Sequence, residues 1–270
     1  MAIREYEKVT CLSRYLDITR EIRDHWPEKE KPERRGEQQR LWFRGQGRWD
    51  WRLSPRLYRE PYKGADENEI RLEFQSQGVQ LIAGRLPTGK AEKWDWYFLM
   101  QHHGVPTRPL DWTENPLVGL FFAVETENDD SDSAVWVLDP WWLNEKLRLG
   151  ITGPMLPDYS ESHTYLPELE DAFFGRKVSR RLPAAIEPPH VDRRVAAQQS
   201  RFLVFGTTQD LTKSKPVKGR GARLARIRIP ESARRSLKHE LDDCGVNFSS
   251  VYPDLEGLAL HILFRWKRDP

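Results

Sequence analysis

A single α+β domain of short mixed strands with packed helices is the fold class that this sequence predicts, and three observations predict it. Segments with helically spaced apolar residues are intermixed with short aromatic or branched runs of strand length, not in strict strand–helix–strand order. No internal repeat and no low-complexity tract interrupts the chain. At 270 residues, 38% of them hydrophobic and 31% charged, the chain is long enough to bury a core inside a polar surface without covalent staples.

The elements follow in order. Leu12, Tyr15, Ile18, Ile22 and Trp26 share one helix face, which predicts a helix over 12–26. Pro27 to Arg40 is polar and mixed in charge, an exposed loop; residues 1–40 are therefore set apart as a helix and charged loop preceding a domain over 41–270. Leu41–Gly45 reads as a strand, followed by a glycine-containing turn and an aromatic segment, Trp49–Leu53. Asp66 and Glu69 have capping-box spacing and open a helix to about Leu86 that turns Ile70, Phe74 and Leu81 inward. A second helix is expected from about Ala91 to His103, with Gly104 just past its end. Pro106 and Pro109 keep Val105–Thr113 extended. Asn115 as N-cap and Pro116 at the first helical position start a short apolar helix to about Glu125. Glu125–Ser133 reads as an acidic loop, Ala134–Leu138 as a buried strand, and 139–187 as one short helix and then loop. Phe202–Phe205 and Arg223–Ile229 are strands, the latter by alternation. An amphipathic helix over Glu231–Cys244 ends at Gly245, and a last helix covers about Leu255–Phe264.

Charge is nearly balanced, 43 basic against 41 acidic residues for a net +2, which argues against a dedicated nucleic-acid coat and against a long disordered tail. Cys11 and Cys244 form neither a disulfide framework nor a metal motif, as expected in a reducing compartment. The opening Met-Ala-Ile-Arg-Glu-Tyr-Glu lacks the apolar core of a signal peptide, and the longest apolar run, Leu117–Val124, is too short to span a bilayer. A soluble cytoplasmic protein without membrane contact is expected. Two excesses stand out: 11 Trp, 8 Tyr and 11 Phe, and 30 Arg against 13 Lys. Arginine grips phosphate through a planar fork and stacks on aromatic faces; the plain alternative is coding bias, with Trp filling the core.

Three stretches carry candidate chemistry. In Phe43-Arg44-Gly45-Gln46 an arginine lies on a strand between aromatics, where burial is costly without a partner. It reads as a phosphate clamp whose Gly45 lets a ligand approach the backbone, or else as a structural ion pair. Gln101 through Pro116 places Arg108, Asp111 and Thr113 on a proline-restrained loop entering a helix N-terminus, a plausible ligand wall; alternatively Asp111, Thr113 and Asn115 only cap the helix. Within it His102 and His103 point about 100° apart on a helix and lack any accompanying acid spacing, so no metal is expected. Arg193 to Phe202 runs small and amide residues into an apolar strand, and its Gln side chains can bond a sugar hydroxyl.

Together these stretches resemble the FRG-domain family, named for a Phe/Tyr-Arg-Gly motif, here Phe43-Arg44-Gly45. The resemblance continues through Gln101-His102-His103-Gly104-Val105-Pro106-Thr107-Arg108, Leu110-Asp111-Trp112-Thr113, Asn115-Pro116 and Leu120-Phe121-Phe122-Ala123. It extends to Arg194, Ala197-Gln198, Phe202 and Pro253-Asp254-Leu255 with Gly257-Leu258. The order of the motifs is also similar to that of ADP-ribosyltransferases. That likeness implies NAD as substrate, a macromolecular acceptor (nucleic acid or protein), and the setting of a bacterial toxin or phage-defence effector with an antitoxin or other defence protein as partner. Arg44 would then contact the adenosine side or phosphates of NAD, with Phe43, Gly45, Gln101, Arg108 and Gln199 beside it. Asp111 and Thr113 would lie near the nicotinamide ribose, and Gln198 to Ser200 would occupy the place of the catalytic glutamate motif. Those three residues bring no carboxylate, and Ser200 replaces the family's usual Gly, so either a carboxylate such as Glu114, Asp111 or Glu187 supplies the charge or the site binds a nucleotide without rapid turnover. Two rivals stand beside this reading. One is a non-catalytic module for RNA or single-stranded DNA, suited to a chain rich in Arg and aromatics. The other is a phosphodiester or nucleotide hydrolase with His102 or His103 as general base, oriented by Asp111.

Overall fold

A seven-stranded mixed sheet organises the molecule. The computed structural model describes residues 3–7, 9–26, 40–63, 65–82, 92–125, 130–147, 153–157, 165–166, 182–188, 193–219 and 221–267. The strands are β1 (Arg4–Tyr6), β2 (Trp42–Gln46), β3 (Pro109–Thr113), β4 (Ser133–Leu138), β5 (Ala184–Ile186), β6 (Ser200–Val204) and β7 (Leu224–Ile229). Their order is β1-β7-β4-β2-β3-β6-β5. β1 and β7 run parallel, and the remaining pairs are antiparallel. β4 is buried at all six positions, as an unbroken apolar run covered on both faces should be.

One face of the sheet carries α1 (Leu12–His25) and α4 (Pro116–Val124), which bury Tyr15, Ile18, Ile22, Leu120 and Phe121 against Phe43, Val135, Val137 and Ile227. The Tyr15 hydroxyl donates to the Pro116 carbonyl at 2.7 Å and ties the two helices together. The opposite face collects Trp42, Trp112, Trp136 and Trp142 with Leu110 and Leu203. A third cluster joins α3 (Glu92–His102) to the β5–β6 edge through Trp94, Tyr97, Phe98 and Phe202. Part of the Arg and aromatic excess is structural: the Arg226 guanidinium lies 3.5 Å from the Trp49 ring centre and 5.0 Å from that of Trp136.

The mixed fold, the helix over 12–25, the strands at 42–46 and 134–138, and the Asn115 cap match the expectations. Asn115 Oδ1 accepts from the Leu117 amide at 2.9 Å, and Gly104 and Gly245 have φ of 72° and 78°. Several expectations need correction. The first residues are built into the sheet and core, since β1 pairs with β7 and α1 packs under α4. α2 (Glu67–Gly78) is capped by Asp66 as expected but stops well short of Leu86 and inverts the expected faces. Glu67, Asn68 and Arg71 are buried, Ile70 and Phe74 only half-buried, and Leu81 exposed, because the inward face meets the cation of Arg108. Ser133 begins β4 and does not end a loop. The stretch expected as loop after α5 (Pro140–Leu147) contains β5, whose three residues are too few to show alternation. Short helices α6 (Arg193–Ala197), α7 (Lys215–Lys218) and α9 (Phe248–Val251) were not expected. Glu231–Ala233 is a 3₁₀ turn leading into α8 (Arg234–Asp243), and α10 runs from Leu255 to Trp266. The charged loop at 27–39 lies outside the described residues. No helix among the described residues is long and apolar enough to cross a membrane.

Candidate functional site

The site arises where the sheet parts. β2 pairs with β4 along all five of its residues, and β3 pairs with β6 along five, but β2 and β3 pair with each other only at Phe43 and Thr113. Beyond that point the strands diverge, and a cleft of about 400 Å³ opens between them. It takes Arg44 from β2, Asp111 and Thr113 from β3, Gln101 and His102 from α3, Phe122 and Glu125 from the end of α4, and Arg194 and Gln198 from α6 and the turn after it. Trp51, Arg59, Phe98 and Phe202 also line it, as do the expected residues Phe43, Gly45 and Ser200.

Arg44 spans the gap. Its side chain is only 16% exposed, and Nη1 donates to the Asp111 backbone carbonyl at 2.6 Å and sits 3.9 Å from Asp111 Oδ2. Its Nε is buried and has no partner. Burial lowers the guanidinium pKa to about 10; Asp111 opposes that shift and the like charge of Arg59 adds to it. Asp111 is oriented from α3, where Gln101 Nε2 donates to both its carboxylate oxygens at 3.0 and 2.9 Å. Thr107 Oγ1 in turn donates to Gln101 Oε1 and fixes that amide. The Gln-His-His-Gly-Val-Pro-Thr segment thus delivers an oriented carboxylate beside Arg44.

Other expected residues are placed differently. Thr113 is buried and structural in its bonding: Oγ1 donates to the Gln198 carbonyl at 2.6 Å and accepts from the Asn115 amide at 3.0 Å. Gln198 Nε2 donates to the Val251 carbonyl at 3.1 Å. Both line the cleft, but with these groups bonded to backbone. The Phe43 side chain is in the core under α4. Gly45 lines the cleft and is also required by the helix, since a Cβ there would overlap the Gly119 carbonyl and the Ala123 amide of α4. Arg108 does not reach the cleft; it is buried on Glu67 and on the carbonyls of Tyr165 and Phe205. Gln199 is exposed, with φ 46°, and its carbonyl accepts from the Glu114 amide at 3.2 Å. His103 lies outside the cleft wall, its ring 4.8 Å from that of His102 and 6.4 Å from that of Phe74. Among the described residues no group of three or more His, Cys, Asp or Glu is placed to hold a metal ion.

The carboxylates expected to replace the missing glutamate also separate. Glu114 is paired with Arg201 at 3.0 Å and with Arg40 at 2.9 Å, and Glu187 lies 3.4 Å from Arg201. Neither lines the cleft; Asp111 does. The sequence reading passed over the second carboxylate that does, Glu125, which it treated as the start of a loop. Glu125 Oε2 accepts from the Tyr252 hydroxyl at 2.9 Å, and Lys238 Nζ donates to its backbone carbonyl at 3.4 Å. Burial pushes the Glu125 carboxyl up, while the Tyr252 bond, Lys238 and Arg194 pull it back. Arg194 in turn lies over the Tyr252 ring, 4.6 Å from its centre. The one local signal for Glu125 is an acid that ends an apolar helix. Arg59, also missed, has no local signal.

No curated protein and no solved structure matches the chain. A family model described as FRG domain matches residues 39–132, the stretch that contains β2, β3, α4 and with them Arg44, Asp111 and Glu125. Over that stretch the chain is similar to the FRG-domain family.

Proposed function

We propose that the cleft binds a nucleotide, with NAD as the substrate, and transfers its ADP-ribosyl group to a macromolecular acceptor. The observation that carries this reading is Arg44: a nearly buried guanidinium at the cleft wall whose Nε has no partner and whose closest carboxylate is 3.9 Å away. A nearly buried cation with one short bond to a carbonyl and no closer counter-charge is costly to hold there unless an anion in the cleft pairs with it. Arg44 and Arg59 together suit a pyrophosphate, since a planar fork meets phosphate oxygens in pairs. Trp51, 45% exposed at the rim, offers a face on which a base can stack. Asp111, held by Gln101, is an acceptor for ribose hydroxyls.

In the proposed reaction the C1′–N bond of NAD breaks and its electron pair returns to the nicotinamide nitrogen, so that neutral nicotinamide leaves. A lone pair of the acceptor forms the new bond to C1′, and the acceptor loses one proton. The test is incubation of the protein with labelled NAD and a bacterial lysate, following nicotinamide release and label transfer with Arg44→Gln as control. Label that moves only with the wild type supports the reading and gives the acceptor class; absence of both signals together with absence of NAD binding counts against it.

One observation favours the second reading, a module that binds RNA or single-stranded DNA. A further depression of about 650 Å³ shares Trp51 and Arg59 with the cleft and carries Arg52, Lys63 and Lys213. A single strand could run through both, stacking on Trp51. Binding of an oligonucleotide that weakens steeply with salt, without NAD binding, would favour that reading. The hydrolase reading has less support: His103 is outside the cleft wall, and among the described residues no group of three or more His, Cys, Asp or Glu is placed to hold a metal ion.

A further inference from the structure

Glu125 is held in the cleft at a cost. It caps the C-terminus of α4, where the helix dipole disfavours an anion, and it is mostly buried, which disfavours the charge again. Among the described residues it forms no ion pair. Its Oε2 accepts from Tyr252, no hydrogen bond to its Oε1 is formed among the described residues, and the side chain lines the cleft. The charged and titratable groups around it are Tyr252 from the turn after α9, Arg194 from α6 and Lys238 from α8, with Asp111 acting on Tyr252 from the far side. The lining of the cleft thus holds two carboxylates in different company, Asp111 beside Arg44 and Arg59, and Glu125 bonded to Tyr252 with Arg194 over that ring.

From this geometry we infer that Glu125 is the proton acceptor of the transfer, with Tyr252 as the positioning residue that aims its carboxylate. The inference rests on the nucleotide reading. The proposed pose sets the phosphates on the two arginines and the glycosidic end of the substrate at Glu125, which lines the same cleft. The incoming hydroxyl or amine of the acceptor places its lone pair on C1′, its proton passes to Glu125 Oε1, and nicotinamide departs with the electrons of the broken C1′–N bond. The proton then leaves to solvent through the open cleft. The shift of the carboxyl above its ordinary range suits this role, because a base works best when its pKa approaches the working pH.

The test uses the full chain in three forms: wild type, Glu125→Gln and Tyr252→Phe. NAD binding is measured by calorimetry, and label transfer is followed against pH. Glu125→Gln keeps an oxygen for the Tyr252 hydroxyl but removes the base. It is expected to bind NAD within about threefold of the wild type while transfer falls roughly 100-fold or more. Wild-type transfer is expected to fall as pH drops through the raised Glu125 value. In Tyr252→Phe the hydrogen bond that lowers that value is gone, so the acid limb should move to higher pH. Wild-type transfer rates in Glu125→Gln, or an acid limb unmoved in Tyr252→Phe, would overturn the inference and leave the nucleotide reading standing. A wild type that binds no NAD would overturn both. If Glu125→Gln does not fold, as judged by thermal melting, the Tyr252→Phe profile decides.

Discussion

Arg44 and Arg108 come from neighbouring parts of the same sequence pattern, and both are withdrawn from solvent, yet their surroundings differ completely. Every nitrogen of the Arg108 fork has a partner. Nε and Nη2 meet the Glu67 carboxylate, which also takes the Arg108 backbone amide at 2.9 Å, and Nη1 bonds the Tyr165 carbonyl at 2.9 Å and the Phe205 carbonyl at 3.4 Å. Burial works against its charge, but Glu67, with Tyr58 and Tyr97, more than offsets it and the pKa rises. Arg44 has one short bond to a carbonyl, a distant carboxylate and an unpartnered Nε, and there burial prevails and the pKa falls. A buried arginine whose bonds are complete holds the fold together. One whose bonds are incomplete at a cleft wall is the group that, in the proposed reading, a ligand completes.

The largest expected effect lies on the complete side. Glu67→Ala strands the Arg108 charge in the interior and should cost about 3–5 kcal/mol in urea unfolding, whereas Glu67→Leu combined with Arg108→Met should recover most of that loss. If the single variant costs under about 1 kcal/mol, the contrast between the two arginines is broken. Gly45→Ala comes next. Its methyl would overlap the backbone of α4, and a loss of about 1–3 kcal/mol in the same assay is expected.

On the incomplete side the effects move from stability to binding. Arg44→Gln should change stability by less than about 1 kcal/mol but weaken NAD by about 10- to 100-fold, the worth of a charge-assisted phosphate contact. Glu125 links the two quantities. Its carboxyl titrates above the ordinary value in the folded state, so the folded protein binds more protons than the unfolded chain between the two values, and stability falls as pH rises through that window. Glu125→Gln should therefore melt a few degrees higher than wild type at pH 7, with the gain vanishing as pH falls to the ordinary carboxylate range. Equal melting temperatures at pH 7 would contradict a costly carboxylate. The smallest effect belongs to His103→Ala, outside the cleft wall, which should leave stability within about 0.5 kcal/mol and NAD binding unchanged.

What the sequence makes legible follows from the range of the interaction. Asn115-Pro116 reads as a helix start because cap and helix are adjacent, and the segment from Gln101 to Thr113 reads as one unit because Thr107, Gln101 and Asp111 bond within a dozen residues. Arg44 stands out because an arginine between aromatics on a strand is anomalous on its own. The rest depends on distant partners. Arg108 looks like a ligand residue until Glu67, 41 positions earlier, is found beneath it, and the same pair turns the polar side of α2 inward. Glu125 looks like the first residue of a loop until Tyr252, 127 positions later, is found against it. Gly45 looks like a ligand cradle, and its second role, the close approach of α4 at Gly119, depends on a helix more than seventy residues later in the chain.

The central claim is that the unsatisfied guanidinium of Arg44 is completed by a nucleotide phosphate. Calorimetric titration of NAD into wild type and Arg44→Gln, with both proteins checked for the same melting temperature, tests it most directly. The account predicts saturable binding to wild type and at least tenfold weaker binding to a variant that is folded equally well. No binding to wild type, or equal binding to both proteins, would contradict it.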